Sequence, residues 1–238
     1  FGIMVEKGHE LPPDDPRRKF KYRVVFQGNN VVTQNFETAM FQDMGSSPAS
    51  MEAGKSVACY GCLEDHWVEQ ADAEQAYIQA DLTGTPTWVL LPEEAWPADW
   101  WYADGTPRYQ RPVVRLKKAL YGHPDAGTMW ERHAHSHLLS VGYTPIPSWS
   151  SCYYHDELKL MLSVYVDDFL LSGPKVNLKR GWELSRTGGL RIEDPTEIDL
   201  YLGCKHIRSD LKVPGVGVVR AIEFDMSSYL ERICEDYC

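Results

Sequence analysis

The chain has 238 residues, of which 43% are hydrophobic and 24% charged, a balance that excludes a disordered or fibrous protein. Its net charge of −10, from 24 basic and 34 acidic residues, argues against a generally basic nucleic-acid-binding surface, because phosphate contacts come from Lys and Arg. With no apolar stretch long enough to cross a membrane and no signal-peptide pattern at the start, we expect an intracellular protein that is not secreted.

The first predicted elements are a strand and a helix. The segment "KYRVVFQG" has a β-branched centre and ends at a Gly-Asn turn, which predicts a strand over 21–28, preceded by the basic cluster "RRKFKYR" at 17–23. Ser47 and Pro48 form a helix-start pattern, and apolar residues follow at helical spacing. We therefore expect a helix over about 49–63 with one apolar face, formed by Met51, Val57, Ala58 and Cys62.

A second strand leads to an acidic residue. Trp67 and Val68 begin a short predicted strand that ends at Asp72, and a turn of helix follows around Tyr77. Further on, the strands "TWVLL" and "VVRL" flank a stretch rich in Pro, Gly and Trp, which predicts a long surface loop. Its tryptophans either stack on unpaired bases or pack onto the core, and packing is the favoured interpretation.

The next predicted elements are a helix and a hairpin. Helical spacing of apolar residues predicts a helix from near Pro124 to Gly142. The β-rich runs "KLMLSVYV" and "FLLS" are separated only by Asp167 and Asp168, which is the length of a tight hairpin turn. We therefore expect both carboxylates at a hairpin tip.

Two adjacent carboxylates repel each other, so one takes up a proton or both require a cation. Asp is also common in turns, and the spacing of this pair alone leaves a structural and a functional interpretation open. A third carboxylate, Asp72 at another strand end, favours function, because three hard oxygen donors suit Mg²⁺. Two such ions could activate a 3′-hydroxyl and stabilise a leaving pyrophosphate, which is nucleotidyl transfer.

Five segments in order, "KYRVVFQG", "QADAEQAYIQADL", "RLKKALYG", "SVYVDDFLLSG" and "YLGCKHI", resemble the reverse transcriptases of Ty1/copia retrotransposons. The resemblance implies an RNA-directed DNA polymerase that adds dNTPs to a primer 3′-OH. It also implies an α+β right-hand polymerase fold with fingers and an antiparallel palm sheet over 1–225 (core about 17–208). Residues 226–238 are expected to be the start of a truncated thumb or connection.

By this resemblance, Asp72, Asp167 and Asp168 are the catalytic, metal-binding residues for two Mg²⁺ ions, with Mn²⁺ as a substitute, and Asp168 is the more structural of the pair. The backbone carbonyl of Ala73 is expected to be an extra metal contact. Tyr77 matches a gate whose ring leaves no room for a 2′-hydroxyl. A core tyrosine that packs the palm is the alternative for this position.

The remaining matched residues are implied to bind substrates. Lys21 and Arg23 would grip the incoming triphosphate, whereas Gly122 and Tyr165 would contact nucleotide and template. The primer end would be held by Leu202 and Gly203. The chain departs from the common copia pattern at "HPDAG" (123–127), where Leu-Lys-Gln-Ser/Ala-Pro is usual, and this difference bears on template contacts and processivity.

The resemblance implies as partners an RNA or DNA template with its primer, dNTPs, and other Pol polyprotein domains such as RNase H and integrase, in cytoplasmic particles or the nucleus. Because the sequence begins at Phe1 and stops at Cys238, we expect a piece of a longer chain. Three alternatives stay open: an inactive or host-retained relic, a non-catalytic interaction module, and a two-metal nuclease.

Other motifs are weaker. "AGKS" at 53–56 lacks the upstream Gly that a phosphate-binding P-loop needs. Cys59, Cys62 and His66 begin like a zinc site without a second ligand pair, and the six scattered cysteines predict reduced thiols. His133 and His137 share a helical face, for which a neutral surface pair is the favoured interpretation.

Overall fold

The computed structural model describes residues 1–8, 12–16, 18–41 and 46–237; Arg17 of the predicted basic cluster lies outside these ranges. The described chain mixes helices with antiparallel strands, as an α+β fold requires. The helices are α1 (Met51–Tyr60), α2 (Ala76–Gln79), α3 (Ala126–Ser140), α4 (Lys175–Arg186) and α5 (Ser227–Tyr237). The strands are β1 (Gly2–Lys7), β2 (Lys19–Val24), β3 (His66–Asp72), β4 (Trp88–Leu90), β5 (Val113–Arg115), β6 (Thr144–Pro145), β7 (Cys152–His155), β8 (Leu160–Tyr165), β9 (Asp168–Pro174), β10 (Thr196–Glu197), β11 (Leu200–Tyr201), β12 (Cys204–Val213) and β13 (Gly217–Asp225).

A six-stranded antiparallel sheet in the order β10-β3-β9-β8-β7-β6 forms the centre of the molecule. Strands β3 and β9, which are separated by about a hundred residues of sequence, pair along their whole length from His66 opposite Pro174 to Asp72 opposite Asp168. The β8–β9 hairpin continues the sheet, with Tyr165 opposite Asp168. Three residues from three strands therefore form one row across the sheet.

The two faces of the central sheet pack against different helices, because side chains alternate along each strand. On one face, Val68 and Leu170 pack against Val57 and Ala58 of α1. Ser172, also on this face, is fully buried and donates a hydrogen bond to the carbonyl of Val57 at 2.7 Å.

The opposite face carries Phe169 and Leu171, which pack against Trp130 of α3 and Trp182 of α4. The Nε1–H of Trp182 donates to Glu69 on the same face at 2.8 Å. The central sheet is thus covered on both sides by helices, which explains why β8 and β9 are apolar over most of their length.

Three smaller antiparallel sheets surround the centre: β1–β2, β4–β5 and β11–β12–β13. Strands β4 and β5 flank the predicted loop, in which the rings of Trp96, Trp100 and Trp101 contact one another. Strand β12 pairs with β13 over nine residue pairs, and α5 follows from Ser227. The division of the chain at 225/226 into two domains stays a prediction.

The structure adjusts several predicted boundaries. Helix α1 spans Met51–Tyr60 instead of 49–63, because the side chain of Ser50, and not the Ser47-Pro48 pair, caps it by accepting a hydrogen bond from the N–H of Ala53. Ala53, Gly54, Val57 and Ala58 form its buried face, whereas Met51 is exposed. The strand predicted over 21–28 occupies Lys19–Val24.

The predicted hairpin tip was wrong by one residue. Tyr165 and Asp168 pair with each other, so the two turn residues are Val166 and Asp167, and Asp168 is the first residue of β9. Asp168 pairs with Asp72 of β3 on one side and with Tyr165 of β8 on the other. The apolar pattern of the sequence did not predict this double pairing.

The structure also bears on the cysteines and on membrane-spanning helices. Cys59, Cys62, Cys152, Cys204 and Cys234 are free thiols. None of the helices in the described part of the chain has the length and apolarity to cross a membrane.

Candidate active site

The carboxyl groups of Asp72 and Asp168 meet across the central sheet. Asp72 ends β3, Asp168 begins β9, and the two are directly opposite each other in the antiparallel register. The charge of Asp72 is among the causes that raise the pKa of the Asp168 carboxyl group. Two carboxylates in this arrangement repel each other, and a proton or a cation relieves that repulsion.

Burial and the repulsion within this pair change the pKa of Asp168. Partial burial, followed by the charges of Asp167 and Asp72, raises the pKa of its carboxyl group from 3.8 to about 7. Asp72 is exposed at the strand end, so it keeps access to solvent. The sheet register therefore concentrates negative charge at one point, which favours the protonated form of Asp168.

The turn that carries Asp167 is fixed by two hydrogen bonds to its backbone. The indole Nε1–H of Trp130 on α3 donates to the carbonyl of Val166 at 2.6 Å, and the N–H of Ala73 donates to the carbonyl of Asp167 at 2.7 Å. Val166 has a φ of 56°, a conformation that a β-branched residue rarely adopts. These bonds from two other elements hold the strained turn in place.

Tyr77 lies on the one-turn helix α2, whose position is set by Gln79. The buried Gln79 amide donates to the carbonyls of Glu74 and Arg191 and accepts from the N–H of Arg191. Tyr77 is half-buried, and burial, followed by the charge of Asp167, raises the pKa of its hydroxyl group. The predicted gate residue therefore lies within electrostatic reach of the hairpin turn.

Tyr121 was not among the predicted site residues, yet its ring lies against Tyr77 with centroids 4.6 Å apart. Burial and then the charge of Asp167 raise the pKa of its hydroxyl group too. The guanidinium carbon of Arg23 lies 5.7 Å from the centre of the same ring. The only hint in the sequence was its position directly before Gly122 in "RLKKALYG".

Gly122, next to Tyr121, packs closely against the chain that follows β2. Its φ is +84°, and a Cβ atom built there would lie 2.1 Å from the carbonyl oxygen of Phe26. The N–H of Phe26 donates to the carbonyl of Tyr121 at 2.7 Å. Only glycine allows the two backbones to approach this closely.

The other predicted binding residues lie on two hairpins. Lys21 shares one face of β2 with Arg23, two residues away. Leu202 and Gly203, with φ values of 50° and 76°, form the two-residue turn between β11 and β12. Tyr165 lies beside Asp168 in the ladder.

The "HPDAG" segment is accommodated by the fold. His123 is buried, its Nε2 lies 3.1 Å from the hydroxyl of Thr87, and its Nδ1 accepts from the N–H of Asp125 at 3.1 Å. Burial lowers the pKa of its imidazole. His123 thus fills an interior position and supports the start of α3.

The carboxylates fit a divalent cation in donor type and in charge. Oxygen donors are those that Mg²⁺ prefers, and a site that binds a proton to relieve repulsion would also be relieved by a cation. In the ranges that the structure describes, no group of three or more His, Cys, Asp or Glu side chains is already arranged to hold a metal. Asp72 and Asp168 are in contact, and Asp167 is near them on the turn, so metal binding requires side-chain convergence.

Comparisons with known proteins give a family match and a curated relative. The family model described as "Reverse transcriptase (RNA-dependent DNA polymerase)" matches residues 9–236. The "Retrovirus-related Pol polyprotein from transposon RE1" of Arabidopsis thaliana is 24% identical over 193 residues, which cover 80% of this chain. The match spans only 12% of that relative's length.

The raised pKa of Asp168 predicts how stability depends on pH in the metal-free protein. The folded state binds more protons than the unfolded state between the ordinary pKa of 3.8 and about 7, so stability falls as pH rises through this range. We expect Asp168→Asn, which is neutral throughout, to be more stable than the wild type at pH 8 by about 1–2 kcal/mol, a figure discounted for partial exposure. Urea unfolding with EDTA at pH 4.5 and pH 8 measures this.

Asp99→Asn, in the exposed 92–112 loop, is the control and should leave the pH dependence unchanged. An Asp168→Asn protein whose stability has the wild-type pH dependence would contradict the predicted shift.

The close approach at Gly122 predicts a large cost for Gly122→Ala. Backbone strain at positive φ and the clash with the Phe26 carbonyl should together lower the free energy of unfolding by roughly 2–4 kcal/mol. Gly188→Ala is the matched control, because its φ is +77° and a Cβ atom there meets nothing within 4 Å. Equal losses in the two variants, measured by urea unfolding, would show that the close approach has no cost.

Proposed function

The chain belongs to the reverse transcriptase (RNA-dependent DNA polymerase) family, and from this membership we propose that it is the polymerase domain of a copia-type retrotransposon. The proposed reaction is the templated addition of dNTPs to a primer 3′-OH. The observation that carries the proposal is the pairing of Asp72 with Asp168, next to Asp167 on a fixed turn. Template with primer, dNTPs and other Pol polyprotein domains are the proposed partners.

In this proposal, the central sheet with α1, α3 and α4 is the palm of a right-hand polymerase. The β1–β2 and β4–β5 hairpins are the fingers, and α5 begins the thumb. The β11–β12 turn, with Leu202 and Gly203, holds the primer end. Support comes from the shared row Tyr165, Asp168 and Asp72, which lies on the central sheet.

Asp72, Asp167 and Asp168 would hold two Mg²⁺ ions, or Mn²⁺ in their place, with the carbonyl of Ala73 as a further donor. When bound, the metal supplies charge neutralisation for the triphosphate and lowers the pKa of the attacking hydroxyl group. The protein's own part is to hold the carboxylates at the end of β3 and on the β8–β9 turn. Metal binding would compete with protonation of Asp168, whose pKa is raised.

The basic side chains of β2 complement this acidic centre. Arg23 reaches the ring of Tyr121 with its guanidinium group, and Lys21 shares its strand face. We assign these cations to the triphosphate, since a guanidinium can bind two phosphate oxygens at once. Tyr77 lies between this strand and Asp167 and would contact the sugar, with its ring in the space of a 2′-hydroxyl group.

Primer extension on poly(rA)·oligo(dT) with Mg²⁺ or Mn²⁺ tests the polymerase activity. We expect Asp167→Asn to lower the rate at least about 100-fold, because it removes one metal-binding charge from a site that stabilises the transition state. The control is Asp99→Asn, which should extend at the wild-type rate. A folded wild type, joined to its complete thumb, that does not extend primers would identify a relic or an interaction module, and primer shortening would identify a nuclease.

Tyr77→Val tests the gate. Removing the ring should lower the preference for dTTP over UTP about tenfold or more, since the steric exclusion of a 2′-hydroxyl is lost. Tyr77→Phe keeps the ring and should keep the preference. If Tyr77→Val lowers the unfolding free energy but leaves sugar preference unchanged, Tyr77 is a core residue and not a gate.

A further inference from the structure

The ring of Tyr121 contacts two parts of the site that are far apart in sequence. One side of its ring is near Tyr77 on α2, with centroids 4.6 Å apart and the planes tilted by 55°. The guanidinium group of Arg23, on β2, is 5.7 Å from the ring centre. A fingers cation and the proposed sugar gate therefore meet at one aromatic side chain.

The backbone of Tyr121 is anchored to the segment that follows β2. Its carbonyl accepts the N–H of Phe26 at 2.7 Å, and Gly122 beside it packs directly on the carbonyl of Phe26. Tyr77, in contrast, stands on a helix of four residues that follows a left-handed residue, Gln75 at φ 51°. A helix of one turn has little stability of its own, and here the Gln79 amide fixes its backbone. The orientation of the Tyr77 ring is then set by the side chains that pack against it, among them Tyr121.

We propose that Tyr121 is a positioning residue that holds the ring of Tyr77 in the sugar-excluding orientation and Arg23 in reach of the triphosphate. The inference rests on the proposed polymerase function and extends it to the source of sugar discrimination. Tyr121 acts through Tyr77 and is not itself the steric barrier. Its aromatic ring, not its hydroxyl group, makes both contacts.

This assignment predicts different results for two substitutions. Tyr121→Leu removes the ring and should lower the dTTP-over-UTP ratio of kcat/KM about fivefold, the size of effect that a tilted aromatic pair supports. The same substitution should raise the KM for dTTP, since Arg23 loses its neighbour. Tyr121→Phe keeps the ring and should retain the wild-type ratio.

A double-mutant cycle separates positioning from a general loss of structure. If Tyr121 acts through Tyr77, Tyr121→Leu added to Tyr77→Val should cause no further change in sugar preference, because the ring that it orients is already absent. Additive losses, or an unchanged ratio in folded Tyr121→Leu, would overturn the proposal. If Tyr121→Leu fails to fold, Tyr121→Met takes its place, with thermal unfolding as the check.

A binding measurement makes the test independent of turnover. Wild type and variants are assembled with a poly(rA) template and a dideoxy-terminated oligo(dT) primer in Ca²⁺, and the binding of dTTP and UTP is titrated. Wild type that extends primers while Tyr121→Leu keeps the wild-type binding ratio refutes the positioning role alone. Wild type that neither extends primers nor prefers dTTP in this assay refutes both proposals.

Discussion

The antiparallel pairing of β3 with β9 is the constraint on which the site depends. It brings two residues separated by 96 positions, Asp72 and Asp168, to opposite places on neighbouring strands. Two carboxylates there destabilise the ladder unless a proton or a cation separates their charges. The fold tolerates this cost because the twelve other residues of these two strands pair without conflict, and the buried Leu170 and Phe169 fix the register next to the acidic pair. A slip of one residue would turn Phe169 toward α1 and Asp168 toward Trp182.

Several hydrogen bonds hold the backbone around this acidic pair in a fixed position. Trp130 and Ala73 bond the backbone of the β8–β9 turn, and Gln79 bonds the chain on both sides of α2. Each of these hydrogen bonds joins an uncharged indole, amide or backbone N–H group to the main chain. They therefore fix the geometry of the site without adding charge. The site is therefore a rigid scaffold with a single electrostatic conflict at its centre. Such a conflict is typical of sites that bind a charged ligand, since the ligand relieves it.

The sequence was sufficient for what depends on local pattern. The two β-rich runs on either side of Asp167-Asp168 predicted the hairpin, and the run from Trp67 to Asp72 predicted the strand that pairs with it. It was insufficient where a distant contact decides the outcome. The hairpin turn moved by one residue because Asp168 pairs with Asp72, and helix α1 began at a cap that the Ser47-Pro48 pattern concealed. Tyr121 was missed because its significance comes from residues 23 and 77, which no local pattern connects to it.

The net charge of −10 argued against a generally basic nucleic-acid-binding surface, and the departure at "HPDAG" bore on template contacts and processivity. The structure shows how the fold accommodates the second of these features. His123 replaces an apolar residue of the common pattern, yet it is buried, hydrogen-bonded to Thr87 and kept toward its neutral form by burial. A buried polar group with hydrogen-bond partners is compatible with a stable fold, so the departure does not disrupt the structure at this point. The net charge is an average over the surface, whereas the cations that matter here, Lys21 and Arg23, are concentrated on one strand face that points the guanidinium of Arg23 toward the aromatic pair. Local placement of charge, more than its total, decides whether a phosphate can approach the acidic centre.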